Sequence, residues 1–124
     1  MYEYEAVITD VYDGDTVTAT VDLGFDHHMG NTKLRLLGID TPELRGGTAR
    51  NKKKAREARD YLRSLILGNK VLIRTVRDTK GKYGRYLAII FLRSTGCNVN
   101  LRMVEGGFAK PYGDEFEDLS HEWF

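Results

Sequence analysis

Apolar and polar positions alternate, with some slips, through Tyr4–Tyr12 and again through Thr16–Leu23, stretches rich in Val, Thr and Tyr. Period-two patterning in β-favouring residues predicts two strands, and Asp13-Gly14 between them is a strong hairpin-turn signal. Gly24–Thr32 is polar, contains two histidines and reads as a connection, after which Lys33–Ile39 resumes as a third strand. Pro42 and the pair Gly46-Gly47 mark a loop. From about Thr48 to Leu67 the period lengthens: Ala55, Ala58, Leu62, Leu65 and Ile66 share one helical face, while Arg50, Lys52, Lys53, Arg56, Arg59 and Arg63 fall mostly elsewhere. Gly68-Asn69 is a stop, because glycine takes a left-handed cap without steric cost. Val71–Val76 reads as a fourth strand, Asp78–Gly84 as a turn-rich loop and Arg85–Leu92 as a fifth strand. Asn98–Glu105 reads as a short helix closed by Gly106-Gly107, and Asp114–Phe124 as a last turn or two of helix. Three strands, a helix, two strands and a further helix predict an α+β fold, a five-stranded barrel carrying two to three helices.

With 124 residues, the chain suits one core, so 1–124 is expected to be a single domain. A hydrophobic share of 41% beside 30% charged residues argues against disorder. No stretch approaches the roughly 20 apolar residues that span a bilayer, so no membrane partner is expected. The start, MYEYEAVITD, has no basic region followed by an apolar one. That points to a cytoplasmic site if Met1 is the native start, and would look the same in a secreted, processed domain. With Cys97 as the lone cysteine, an intrachain disulfide is impossible.

The net charge of +1 hides an asymmetry. Residues 1–26 carry seven acids and no Lys or Arg, and residues 112–124 carry five acids and no Lys or Arg. Residues 45–85 carry 14 of the 19 basic side chains against Glu57, Asp60 and Asp78. A block of that sign suits a polyanion such as nucleic acid, and equally a solvated helix in a charge-balanced protein.

Three short motifs carry the candidate chemistry. In Asp13-Gly14-Asp15-Thr16 two carboxylates sit two residues apart, which suits a cation as well as a plain turn. In the run RLLGIDTPE, Arg35 lies within an apolar strand, where an unpartnered guanidinium would be costly. Asp40, Thr41 and Glu43 follow at the strand end that Pro42 enforces. A structural Arg–Asp pair would account for Arg35 and Asp40 but leave Glu43 without a task. DTKGKYGR adds Lys82, Tyr83 and Arg85 among glycines, whose missing side chains let backbone amides approach an anion. Cutting a phosphodiester takes oxygen ligands for a hard cation, a base for water and fixed cations on the phosphorus centre. These residues supply all three, so a metal-dependent nuclease is the leading reading. His27-His28 have only Cys97 and His121 besides, and no zinc-type set assembles. Tyr112, after Pro111, suits stacking on a base or ordinary packing.

DGDT, RLLGIDTPE and DTKGKYGR, followed by a helix ending in EGGFAK, occur in one order and spacing. Over roughly residues 4–112 this resembles the staphylococcal nuclease-like (thermonuclease) family. The resemblance implies an OB-like five-stranded barrel and calcium-dependent hydrolysis of DNA and RNA, with single-stranded nucleic acid as substrate and the chain acting as a monomer. It makes Asp15 and Asp40 the Ca2+ carboxylates, with the carbonyl of Thr41 as a further ligand. Glu43 would position or deprotonate the attacking water, and Arg35 and Arg85 would hold the scissile phosphate. Lys82 and Tyr83 would contact a terminal phosphate, Tyr112 would represent the base-stacking tyrosines, and Asp13 would be a site-adjacent acid. The chain departs from the family in its short tail after Lys110 and in the loop at Gly24–Asn31, which bears on base packing and substrate preference. The rival is a non-catalytic OB-fold module that binds nucleic acid or protein, since fold alone does not fix function.

Overall fold

The structure, a computed structural model, describes residues 2–44, 47–77, 86–113 and 116. Its elements are β1 (Tyr2–Val11), β2 (Thr16–Gly24), β3 (His27–Leu36), β4 (Ile39–Asp40), α1 (Ala49–Ile66), β5 (Lys70–Arg77), β6 (Tyr86–Leu92), α2 (Val99–Glu105) and β7 (Lys110–Pro111). Five strands close a barrel in the order β1-β2-β3-β6-β5, as the OB-like α+β expectation requires, while β4 and β7 form a separate two-stranded ladder. All barrel pairs are antiparallel except β3 with β6.

Alternation fills the barrel. Ala6 and Ile8 of β1, Val17, Ala19 and Val21 of β2, Leu34 and Leu36 of β3, Val71 and Ile73 of β5, and Ala88 and Ile90 of β6 are buried. The β1–β2 register shifts between Ile8 and Asp10, so that Val11 rather than Asp10 is buried at the end of the strand. Helix α1 lays Ala55, Ala58, Leu62 and Ile66 on the barrel, with Thr48 as its N-cap accepting from the Asn51 amide. Its end is fixed by Gly68 at φ +75°, whose amide donates to the Ile8 carbonyl at 2.8 Å. Arg63 donates from Nε and Nη2 to the Val11 carbonyl, at 3.3 and 3.1 Å, and so ties α1 to the β1–β2 turn.

Two segments differ from the sequence reading. Gly24–Thr32 is a hairpin, not a polar connection: β2 runs to Gly24, Phe25 and Asp26 turn the chain at φ 54° and 60°, and β3 begins at His27. Residues 22–31 are exposed, so these strand ends bury neither face and leave no alternation to read. The third strand also stops at Leu36 instead of Ile39, because Leu37 and Gly38, the latter at φ +77°, swing the chain out of the barrel. Asn100 locks that bend. Its Nδ2 donates to the carbonyls of Leu37 (2.9 Å) and Ala88 (3.0 Å), and its Oδ1 accepts from the Ile90 amide (3.0 Å). The bend frees Ile39–Asp40 to pair with Lys110–Pro111, and the Tyr112 amide donates to the Gly38 carbonyl. The expected loop at Asp78–Gly84 and, apart from Phe116 and the backbone of Gly113 before it, the expected tail helix lie outside the described residues. No helix among the described residues is long and apolar enough to cross a membrane.

Candidate active site

The β1–β2 turn presents the first acid. The Asp15 amide donates to Asp13 Oδ1 at 3.0 Å, so Asp13 shapes the turn. The main chain of Asp15 is pinned to β3 by the Leu36 amide, which donates to its carbonyl at 2.8 Å. Gly14 lets the parts converge: a Cβ there would lie 2.9 Å from both Ala58 Cβ of α1 and Thr41 Cγ2. The turn, the helix and the loop after β4 therefore meet at a position that admits no side chain.

Around Asp15 the residues from RLLGIDTPE gather. Arg35 Nη2 stands 3.5 Å from Asp15 Oδ2 and 3.5 Å from Asp40 Oδ1, a nitrogen shared by two carboxylates. The Thr41 amide donates to Asp15 Oδ2 at 3.2 Å and the Thr16 hydroxyl to Asp15 Oδ1 at 3.2 Å. On the other side the Arg35 guanidinium lies 5.4 Å from the centre of the Tyr112 ring, within cation–π range. Asp40 is exposed whereas Asp15 is only 7% exposed, so the two acids have different environments. Burial lifts the Asp15 carboxyl from 3.8 to about 6, and the adjacent Asp13 charge adds to the rise; Arg35 and the Thr41 amide oppose it. A buried acid with that balance carries charge its protein neighbours do not fully offset. Close by, the Thr41 hydroxyl is buried and has no hydrogen-bond partner among the described residues.

Of the residues read from the sequence, Asp15, Arg35, Asp40, Thr41 and Tyr112 come together in this corner. Glu43 stands exposed two residues past Thr41, and among the described residues no ion pair or hydrogen bond ties it to the group. Lys82, Tyr83 and Arg85 lie outside the described residues. Among those described, no group of three His, Cys, Asp or Glu side chains assembles to hold a metal. The donors on hand are the Asp15 and Asp40 carboxylates, with Thr41 tied to Asp15 through its amide. Hard oxygen donors of this kind fit an ion such as calcium that keeps water or substrate oxygens in its remaining positions, and the under-compensated Asp15 charge fits a cation.

Sequence reading did not single out Asn100, Gly14 or Lys110. Asn100 had a signal, since a polar residue three positions before Met103 falls on the helix's inward face. Gly14 had only its place in a turn. Lys110 reaches Asp40 through the β4–β7 ladder, which pairs residues seventy positions apart, and no local pattern announces it.

Comparison with known proteins places this geometry in a family. The model of the family described as staphylococcal nuclease homologue matches residues 33–122. The chain belongs to that family. It is similar to Endonuclease YhcR of Bacillus subtilis (strain 168), 32% identical over 89% of this chain and 9% of that protein. It is also similar to the thermonucleases of Staphylococcus intermedius, 32% identical over 73% of this chain and 51% of that protein, and of Staphylococcus hyicus, 30% identical over 86% and 60%. The chain thus spans less than two thirds of each of these relatives.

Proposed function

We propose that this chain is a nuclease: a calcium-dependent phosphodiesterase acting as one domain on single-stranded DNA and RNA and leaving 3′-phosphate ends. The observation that carries the reading is the Arg35 guanidinium held between the Asp15 and Asp40 carboxylates with Tyr112 beneath it. Family membership and the nuclease names of its relatives support it further.

In this reading Asp15, Asp40 and the Thr41 carbonyl would hold a calcium ion, which would supply Lewis acidity to the reacting phosphate. Glu43 accepts a proton from the attacking water as its oxygen bonds to phosphorus in line with the departing O5′. Arg35 and Arg85 grip the non-bridging oxygens, whose negative charge is greatest at the transition state. The P–O5′ bond breaks, the leaving oxygen takes a proton from solvent, and the products are a 3′-phosphate and a 5′-hydroxyl. Lys82 and Tyr83 contact a terminal phosphate, and Tyr112 offers its ring to a base.

The test is digestion of single-stranded DNA with calcium and then with EDTA, followed by end-group analysis. Calcium-dependent release of 3′-phosphate ends is expected. Arg35→Ala, Glu43→Ala and Arg85→Ala each lower turnover by about 10²–10³-fold, the scale of losing one transition-state donor. Binding of the DNA without cleavage would replace this reading with that of a non-catalytic module. Losses below about tenfold would remove the altered residue from the chemistry.

A further inference from the structure

A cavity of about 530 Å³ opens between α1 and the β4–β7 ladder. Asp40 and Thr41 form part of its wall, so it is continuous with the candidate site. Lys54 of α1 faces it from one side and Lys110 of β7 from the other. Both lysines are exposed, and among the described residues neither ammonium takes part in an ion pair. The acids on the wall are Asp40, engaged by Arg35, and Glu57. On the far wall Gly107 has open space above it, while the Phe108 ring covers Gly106. A space of that size accommodates one nucleotide, within the roughly 300–1,000 Å³ of small-molecule sites.

We infer that this cleft is the path of the nucleic-acid strand beyond the scissile phosphate, with Lys54 and Lys110 holding the next phosphodiester. The inference rests on the nuclease reading and deepens it: the substrate is a strand held beyond the reacting phosphate by the two lysines. A lysine is a point charge suited to a moving phosphate, in contrast to the fixed fork that Arg35 offers the reacting one. The two lysines are positioning residues for the chain, and their effect falls on KM.

The experiment measures kcat and KM in calcium for a deoxydinucleotide with one internal phosphodiester and for an octadeoxynucleotide, using the native protein and the double variant Lys54→Ala/Lys110→Ala. Lys70→Ala, at the start of β5, is the control for a general loss of positive charge. For the octanucleotide the double variant is expected to raise KM about tenfold and to flatten the salt dependence of log KM by about 0.7, the share of one neutralised phosphate on a single strand. The rise in KM is several-fold smaller for the short substrate, and Lys54→Arg/Lys110→Arg restores most of the loss. Equal changes on both substrates, a loss confined to kcat, or an equal effect from Lys70→Ala would overturn the assignment. Failure of the native protein to cut either substrate is a different result: it removes the nuclease reading and this strand path with it.

Discussion

Asn100 and Asp15 are both polar side chains lodged inside the molecule, one on α2 beneath β6 and the other at the mouth of β2. Asn100 is fully buried and makes three hydrogen bonds, all to main-chain groups it can reach without strain. Asp15 is nearly as buried, yet its carboxyl is pushed up to about 6, its ion pair with Arg35 is long, and the neighbouring Thr41 hydroxyl has no partner among the described residues. Satisfied polar groups in a core fix geometry, whereas under-satisfied ones store a demand that a ligand can meet. The first site holds the bend at Leu37-Gly38; the second waits at the end of what that bend positions.

The contrast breaks most visibly at Asn100. Asn100→Ala strands the Ile90 amide and the carbonyls of Leu37 and Ala88, and with about 1–3 kcal/mol for each unmet group the expected loss is on the order of 3–5 kcal/mol after relaxation. Urea unfolding measures it. A loss under 1 kcal/mol would mean that water replaces the side chain and that the bend holds itself.

Asp15 should behave in the opposite sense. Because its carboxyl rises from 3.8 to about 6 on folding, the native state binds that proton more tightly than the unfolded chain. The stabilisation from that proton is complete below pH 3.8 and is lost as the pH climbs through about 6. In EDTA, therefore, Asp15→Asn is expected to stabilise the protein above pH 6 by on the order of 2–3 kcal/mol and to flatten the decline between those values. Calcium should then raise the melting temperature of the native protein and leave that of the variant nearly unmoved. A variant less stable than the native protein at neutral pH would show that the carboxylate is well satisfied and the contrast false.

The smallest effect belongs to Thr41. Thr41→Val replaces a buried unpartnered hydroxyl with a methyl of similar size, so a gain of up to about 1 kcal/mol is expected, with calcium affinity kept because the carbonyl remains. A thermal melt and a calcium titration check the two halves separately.

Much of this contrast was written in local patterns, and some was not. Strand β1, the turn at Asp13-Gly14 and helix α1 each have one buried side, and their periods of 2 and 3.6 announce it. The ends of β2 and β3 have no buried side and read as loop for that reason. The run RLLGID is apolar throughout, which conceals the left-handed Gly38 where the strand ends. Asp15, Arg35 and Asp40 stood out because charge at a strand end or in an apolar strand needs an explanation. Tyr112 and Lys110 depend on how the chain returns to β4, and the packing that brings them back is not a property of their neighbours in sequence.

The lone parallel pair in the barrel, β3 beside β6, has a kinetic consequence. Leu34 and Tyr86 lie side by side with the whole of α1 and β5 between them in sequence. Contacts so distant along the chain form late and slowly. Asp15 and Arg35 lie before that crossover and Tyr112 beyond it, so the corner they share depends on long-range closure of the chain. A chain cut before Tyr112 would own both carboxylates and Arg35 and still lack the ring that closes the corner.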